Sequence, residues 1–323
     1  MSGRLLVTGA AGFIGSHACH AFLHKGWQVA GIDNFDPFYD RRMKEEGIAG
    51  LRNHKGFRFT EGDIRDVGVL EPAMRGADVV LHLAALAGVQ PSIDDPESYV
   101  SVNVGGTAAL LEVCRTVGVR RVVFGSSSSV YGDAARVPFS EEDPAVAPIS
   151  PYAATKRAGE LQCAVYTHLY DFRVAVLRFF TVYGHRQRPD LAIHKFTRLI
   201  SADQTIRQLG DGSSERDYTH VDDIVAGVVA AVDWTRQEGP VCEIINLGES
   251  TRVRLSYLIE LIGHALHREP RVQVCPPAPG DVYRTCADIS KAKRLLAYDP
   301  QITIEDGIPQ FVDWYRTAYG HAA

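Results

Sequence analysis

The sequence predicts an α/β protein with a doubly wound parallel sheet and a smaller α/β lobe toward its C-terminus. Three observations carry this prediction. Short apolar runs alternate with helix-length amphipathic segments through residues 1–180, the runs show no polar alternation, and a glycine-rich turn directly follows the first run. Strands that are apolar on both faces are typical of a parallel sheet with crossover helices packed on each side.

The apolar runs define the expected strands in chain order. They are RLLVTG, WQVAGID, FRFTEGD, DVVLHLA, RRVVFGSS and FRVAVLRFF. We expect residues 1–180, with returning segments at about 216–248, to form the sheet domain, and about 181–215 together with 249–323 to form the smaller lobe. Because ligands of such open sheets bind at the carboxyl ends of the strands, the residues after each run form the candidate site.

Composition and charge narrow the class of protein. The 323 residues are 46% hydrophobic and 23% charged with a formal charge of -5, so no nucleic-acid partner is expected. The six cysteines include no C-x-x-C pair, so we expect neither a metal site nor a disulfide framework. The N-terminal apolar stretch is too short for a signal peptide, and no later run reaches membrane-spanning length. We therefore expect a soluble, cytoplasmic protein without a membrane partner.

The segment LLVTGAAGFIGSH indicates a dinucleotide-binding turn of the Rossmann type. It places Gly9, Gly12 and Gly15 after the first strand and at the start of a helix expected from about Gly12, and Phe13 and Ile14 are expected beside the cofactor as well. Glycines allow the backbone to approach a pyrophosphate, and the positive end of the following helix stabilises its charge. The alternative is a glycine turn that serves only tight packing.

An acidic residue at the end of the second strand indicates which dinucleotide binds. Asp33 in VAGIDN is placed to accept hydrogen bonds from an adenosine ribose and would repel a 2′-phosphate. Since Asn34 follows it instead of a basic residue, NAD is favoured over NADP. Residues after the third and fourth strands are expected beside the same cofactor: Asp63, Ile64, Leu83, Ala84 and Ala85. For the first two, a simple acidic turn is the alternative.

A tyrosine and a lysine four residues apart form the candidate catalytic pair. Tyr152 and Lys156 in SPYAATKRAGE share one face if the segment is helical. A tyrosine phenol has a pKa of about 10, and a nearby ammonium favours its ionised form. The phenolate can then act as the base that removes a hydroxyl proton. Such a pair also occurs on solvated helix faces. The run GSSSSVYG after the fifth strand supplies hydroxyls at the same edge, among them Ser127, unless it is only a turn.

Taken together, TGAAGFIG, Asp33, the hydroxyl run before VYG, and PYAATK resemble the extended short-chain dehydrogenase/reductase family of NAD-dependent epimerases and dehydratases. Longer stretches are similar to the UDP-glucuronate 4-epimerases within it. These are GIDNFDPFYDRRMKE, LAALAGVQPSIDDPESYVSVN, LRFFTVYGHRQRPDLAIHKF and LGDGSSERDYTHVDDI.

The resemblance implies roles for the matching positions. Tyr152 would be the base, Lys156 would hold the nicotinamide ribose, and Ser127 would bind the C4 oxygen of a UDP-sugar. It also implies cofactor-side positions at Asn103 and Phe179, and substrate contacts at Ser128, Thr181, Arg188, Arg216 and Asp281. A homodimer through helices near 96–117 and 151–170 is implied as well.

The serine run bears on the reaction that the resemblance implies. Related decarboxylases typically carry Glu at the position of Ser129, and 4,6-dehydratases carry Asp-Glu at Ser128 and Ser129. Neither acid is present, which favours epimerisation of UDP-glucuronate. Gln90 stands where these epimerases commonly have Arg, which leaves UDP-glucose/UDP-galactose 4-epimerisation as the alternative, followed by decarboxylation. A non-catalytic NAD-binding sensor is a further alternative, although it would not need Tyr152, Lys156 and Ser127 together.

Overall fold

The computed structural model describes residues 2–133, 136–276 and 282–320, and within these ranges seven parallel strands form the central sheet. The strands are β1 (Arg4–Thr8), β2 (Gln28–Asp33), β3 (Phe57–Glu61), β4 (Val79–His82), β5 (Arg121–Ser127), β6 (Arg173–Phe179), β7 (Thr181–Tyr183), β8 (Ile206–Leu209), β9 (Glu215–Arg216), β10 (Tyr218–His220), β11 (Val241–Leu247), β12 (Val253–Arg254) and β13 (Val272–Cys275). The helices are α1 (Phe13–His24), α2 (Arg41–Ala49), α3 (Val67–Met74), α4 (Val89–Asp94), α5 (Pro96–Tyr99), α6 (Gly106–Val117), α7 (Pro151–Tyr170), α8 (Ala192–Ser201), α9 (Val221–Trp234), α10 (Leu255–Leu266), α11 (Ser290–Leu296) and α12 (Ile304–Tyr319). A π-helical turn, Val100–Gly105, joins α5 to α6.

The strand order confirms the predicted fold class. The order in the central sheet is β11-β6-β5-β4-β1-β2-β3, so the direction of winding reverses between β1 and β4. A reversal of this kind opens a crevice at the carboxyl ends of the strands. The strand β11 was not among the predicted runs, and it extends the sheet beside β6.

Alternation along each strand explains why both faces of the sheet are covered. On β1, Leu5 and Val7 pack on the side of α1, α9 and α11, whereas Leu6 packs on the side of α3, α6 and α7. All three side chains are buried. Each face therefore has its own apolar core, and the site is left at the strand ends.

A third apolar core holds the smaller lobe together. It is formed by α8, α10 and α12 with the short strand pairs β7–β10, β9–β12 and β8–β13. One helix of the predicted lobe segment 249–323 does not belong to this core. Ala292 and Leu296 of α11 pack with α9 in the sheet core, because this amphipathic helix covers the edge beside β11. We retain the two-domain division as a proposal, with α11 assigned to the sheet domain.

The described ranges contain no helix that is both long and apolar enough to cross a membrane. Within the same ranges, no group of three His, Cys, Asp or Glu side chains is placed to hold a metal ion.

Candidate active site

A cleft crosses the carboxyl edge of the sheet and continues toward the smaller lobe. Most of the predicted site residues line it: Gly9, Gly12, Phe13, Ile14, Gly15, Asp33, Asn34, Asp63, Ile64, Leu83, Ala84, Ala85, Ser127, Ser128, Tyr152, Lys156, Phe179, Thr181, Arg188 and Arg216. Asp281 lies outside the described residues. The topology thus brings together groups that are more than 200 positions apart in the sequence.

The glycine loop has the geometry of a pyrophosphate cradle. Gly9 adopts φ +70°, and a Cβ atom there would lie 2.8 Å from the backbone nitrogen of Ala84. A Cβ on Gly15 would overlap the carbonyl oxygen of Gly9. The helix α1 begins directly after Gly12, so the N–H groups of its first turn have no side-chain cap from that position. The loop therefore fits an anionic group that approaches the backbone closely.

Asp33 is oriented by the backbone around it. Its Oδ2 atom accepts from the Ala11 N–H at 3.0 Å, and its Oδ1 atom accepts from the Phe35 N–H at 2.9 Å. Burial raises the pKa of this carboxyl, and the two N–H donors act in the opposite direction. Each oxygen keeps acceptor capacity toward the cleft, as binding of the two ribose hydroxyls requires.

Asp63 lines the cleft and also forms a local turn. Its carboxylate accepts from the Arg65 guanidinium at 2.9 and 2.7 Å, from the Arg65 N–H at 2.8 Å and from the Asn34 amide at 3.2 Å. The Arg65 guanidinium holds the pKa of this carboxyl below its usual range. The structure combines the predicted position beside the cleft with the acidic turn that was the alternative.

Asn103 occupies a different place from the other cofactor-side residues. It is absent from the cleft wall formed by the described residues, and it is buried within the π-helical turn. Its Oδ1 accepts from the Leu86 N–H at 2.8 Å, and its amide donates to the Leu86 carbonyl and to Thr155 Oγ1, both at 3.0 Å. The side chain thus ties the loop after β4 to α7, and the cofactor contact expected at Asn103 stays a prediction.

Tyr152 is presented to the cleft by the first turn of α7. The helix begins at Pro151, and Ser150 caps it by accepting the Ala153 N–H at 3.2 Å. Burial raises the pKa of Tyr152, while the hydrogen bond with Ser127 and the charge of Arg188 lower it. In the protein alone the phenol is therefore favoured, and a bound cation is needed to favour the phenolate.

Lys156 lies one turn later on α7. It is buried and forms part of the same cleft wall. Its ammonium donates to the Gly125 carbonyl at 2.8 Å. Burial lowers the pKa of this ammonium to about 8, although the carboxylate of Glu160 acts in the opposite direction. The group is thus charged at neutral pH and titrates close to the physiological range.

The serine run forms an organised hydroxyl cluster at the end of β5. Ser127 Oγ accepts from the Ser129 N–H at 3.2 Å and from Ser129 Oγ at 2.9 Å, and a 3-10 turn follows over Ser128–Tyr131. Ser128, at the start of that turn, and Thr181, on β7, line the cleft. The cluster offers neutral hydroxyls but no carboxylate to a ligand.

Arg188 lines the cleft, whereas Gln90 does not. Arg188 donates to Asp190 at 3.1 and 2.8 Å, and its charge acts on the pKa of Tyr152. It therefore lies near the catalytic end of the cleft. Gln90 is exposed in the first turn of α4 and does not belong to the wall that the described residues form.

A buried ionic network below the site was missed from the sequence. Glu160 accepts from Ser126 Oγ at 2.5 Å, from Arg178 at 2.9 and 2.8 Å and from Arg157 at 2.9 Å. Both Glu160 and Arg178 are almost fully buried. The network connects the serine run to the helix that carries Lys156. The charged residues looked like solvent-exposed positions in the sequence, because only the tertiary fold brings them together.

A glycine cradle after β1, an acid at the end of β2 and a Tyr–Lys pair on α7 line one cleft at the carboxyl edge of a parallel sheet, an arrangement typical of enzymes that bind a dinucleotide. A profile of the NAD dependent epimerase/dehydratase family matches residues 5–248. The chain belongs to this family, which confirms the resemblance seen in its motifs.

Relatives with assigned activities match along nearly the whole chain. UDP-glucuronate 4-epimerase 4 of Arabidopsis thaliana is 40% identical over 331 residues, or 98% of this chain and 76% of that protein. The UDP-glucuronate 4-epimerase of Thermodesulfobacterium geofontis (strain OPF15) is 38% identical over 97% of this chain and 96% of that protein. The structure of UDP-glucuronic acid 4-epimerase from Bacillus cereus, in complex with UDP-glucuronic acid and NAD, matches with a TM-score of 0.92 at 36% identity and covers 98% of this chain and 100% of that chain.

Proposed function

We propose that the protein is an NAD-dependent 4-epimerase of UDP-sugars that interconverts UDP-glucuronate and UDP-galacturonate through a transient 4-keto sugar. The observation that carries the proposal is the placement of Tyr152, Lys156 and Ser127 on one cleft wall together with a serine run that lacks any carboxylate. The relatives named above support the choice of a uronic acid over a neutral hexose.

The residues present fit the cofactor. Gly9 and Gly15 leave room for a pyrophosphate against the backbone, and Asp33 faces the cleft as an acceptor for ribose hydroxyls. Lys156 would donate to the nicotinamide ribose. When bound, NAD would supply the hydride acceptor for C4 and, once the 4-keto sugar has turned over in the cleft, the hydride donor to its other face.

Tyr152 would remove the proton from the C4 hydroxyl and later return it. The phenolate is the active form; the positive charge of Arg188 favours it, and the ammonium of Lys156, one turn along the same helix, would add to this effect. Ser127 would donate a hydrogen bond to the C4 oxygen and hold it beside the phenol. No net redox change results, because the sugar is oxidised and then reduced at the same carbon.

The oxidised uronic acid is a β-keto acid and loses carbon dioxide if its C5–C6 bond aligns with the π system of the C4 carbonyl. Ser128, in the 3-10 turn after β5, and Thr181, on β7, line the cleft and would hold the carboxylate out of that alignment. Dehydration needs a general acid for the C6 leaving group. The serine run provides none, so neither side reaction is favoured.

Product identity tests the proposal. Purified protein incubated with UDP-glucuronate should yield UDP-galacturonate as an equilibrium mixture, which proton NMR of the sugar ring resolves. UDP-xylose as the main product would mean decarboxylation and would contradict the proposal. No turnover of UDP-glucuronate, UDP-glucose or UDP-galactose would favour the non-catalytic sensor.

Thr181→Ala should reduce kcat/KM for UDP-glucuronate by about tenfold to a hundredfold, since one hydrogen bond to a charged group is lost. The loss for UDP-glucose should be smaller, because that sugar has no carboxylate. Initial rates with both substrates check this, and Thr181→Ser, which keeps the hydroxyl, serves as the control. Equal losses for the two substrates would remove Thr181 from the carboxylate site.

We also propose that two copies of the chain pair through α6 and α7, within the helical ranges that the sequence indicated. Leu161, Val165 and Leu169 are 53%, 50% and 58% exposed and share one face of α7 at four-residue spacing. Val100, in the turn that precedes α6, is exposed as well. Apolar side chains at this spacing are typical of a helix face that packs against another helix.

Leu161→Asp should convert the dimer to a monomer, because the charge would be buried without a partner in the interface. Light scattering during size-exclusion chromatography measures the mass. Val146→Asp, at an exposed apolar residue on a loop, is the control and should leave the mass unchanged. A wild-type protein that elutes as a monomer of 35.4 kDa would contradict the proposed dimer.

A further inference from the structure

The helix that carries the catalytic pair holds the end of β5 at two adjacent residues. The ammonium of Lys156 donates to the Gly125 carbonyl at 2.8 Å. The carboxylate of Glu160, four residues later on α7, accepts from Ser126 Oγ at 2.5 Å. Both contacts directly precede Ser127, the last residue of β5. They therefore fix the position of the Ser127 hydroxyl relative to the helix.

Glu160 extends this contact to the neighbouring strand. Ser126 on β5 and Arg178 on β6 are paired in register. The Arg178 guanidinium donates to both oxygens of Glu160 at 2.9 and 2.8 Å, and both side chains of this ion pair are almost fully buried. A Cβ atom on Gly159 would overlap the ring of Phe124, so α7 lies directly against β5. One carboxylate thus joins the helix to two strands.

The same carboxylate acts on the charge of Lys156. Burial lowers the pKa of this ammonium, and the negative charge of Glu160 opposes that effect. His82 also lies near the ammonium, but burial lowers its pKa to about 3, so the imidazole is uncharged at neutral pH. The ring of Phe124 lies 5.4 Å from Lys156 Nζ and attracts it only weakly. Glu160 is therefore the anion that favours the protonated form of this buried lysine.

We propose that Glu160 is a positioning residue of the reaction, which holds the end of β5 against α7 and preserves the positive charge of Lys156. It does not belong to the cleft wall that the described residues form, so it acts through Ser126 and Lys156 and not on the substrate. The alternative is a structural role, in which Glu160 only neutralises Arg178 and the more exposed Arg157. The inference rests on the proposed function, which assigns catalysis to the Tyr–Lys pair.

Titration of Lys156 in Glu160→Gln tests the effect on charge. The full-length protein is labelled with ¹³C-lysine, and the Cε signal of Lys156 is identified by its absence from Lys156→Met. NMR between pH 5 and pH 10 then follows loss of the proton. In Glu160→Gln this should occur at least about one pH unit lower than in the wild type, because the opposing anion is gone. Cys163→Ala, fully buried one turn further along α7, is the matched control and should titrate like the wild type.

Steady-state kinetics test the effect on position. Glu160→Gln should lower kcat for UDP-glucuronate about tenfold to a hundredfold, since a small displacement of a reacting group has an effect of that size. KM should change little, because the residues proposed to contact the sugar are retained. The alkaline limb of the kcat profile should move to lower pH together with the titration of Lys156. Ser126→Ala, which keeps every charge, should lower kcat by a smaller factor and leave that limb in place.

A double variant separates positioning from structure. Glu160→Gln leaves Arg178 buried without its anion, so the melting temperature should fall. Combining it with Arg178→Met removes both charges and should restore the melting temperature, while kcat stays low and Lys156 still titrates at the lower pH. The double variant also carries the test if the single variant does not fold. Recovery of kcat and of the titration along with the melting temperature would overturn the inference.

The titration is independent of the epimerase assay, because it needs neither sugar nor turnover. A Lys156 that titrates at lower pH in Glu160→Gln, in a protein that does not epimerise UDP-sugars, would support the inference while the proposed function fails. An active epimerase in which Glu160→Gln changes neither kcat nor the titration would overturn the inference and leave the proposed function standing.

Discussion

Tyr152→Phe is expected to lower turnover of UDP-glucuronate by about a hundredfold to ten-thousandfold, the range typical for loss of a general base. The ring keeps its place beside Tyr99, 6.3 Å away between centroids, so the cleft should keep its shape. Affinity for NAD and UDP-glucuronate should therefore change little. Steady-state kinetics and calorimetry measure the two effects separately.

A tyrosine on the same helix provides the control. Tyr166 lies on α7 and donates to Glu112 at 3.2 Å, away from the cleft wall. Tyr166→Phe should leave turnover near the wild-type value. If Tyr152→Phe also turns over at a near wild-type rate, Tyr152 is not the base.

Lys156→Met is expected to change the pH dependence of the reaction as well as its rate. Lys156 carries its charge below its pKa of about 8, and in the proposed mechanism that charge favours the phenolate of Tyr152. Without it, the pKa of the tyrosine rises, so the acidic limb of the kcat/KM profile should move to higher pH by about one unit or more. The wild type should also lose part of this support above about pH 8, whereas the variant has no such dependence.

Rate profiles between pH 5 and pH 10 check this expectation, with Lys195→Met on the exposed side of α8 as control. NAD content should fall in Lys156→Met, because a ribose contact is also removed. If kcat/KM falls by the same factor at every pH and neither limb of the profile moves, Lys156 holds the cofactor but does not change the pKa of Tyr152.

The sheet and the glycine loop were predictable because their signals are local. An apolar run such as RLLVTG needs only its own composition to indicate a buried strand, and Gly9, Gly12 and Gly15 follow it directly. The strand β11 carried a weaker signal, since its first half is only partly buried at the edge of the sheet. The short helix α11, SKAKRLL, has too few apolar positions to show which core it joins.

Site residues that depend on tertiary contacts were the hardest to predict. Asn103 has a polar side chain of the kind that often binds ligands. Its hydrogen-bond partners are Leu86 and Thr155, which the fold brings together from distant segments. Lys44 and Glu160 are charged residues of types that usually lie at the protein surface. They are buried only because of the way their helices pack. A polar residue in a helical segment does not reveal from its neighbours alone which way it faces.

The transient oxidation at C4 is tested most directly with UDP-glucuronate that carries deuterium at C4. During epimerisation in ordinary water, the UDP-galacturonate that forms should retain the deuterium at C4, because the hydride leaves and returns within one active site. NMR and mass spectrometry of the product determine the label. Replacement of the deuterium by solvent hydrogen, with the epimer still formed, would show proton exchange at C4 and contradict the hydride mechanism built on Tyr152 and Lys156.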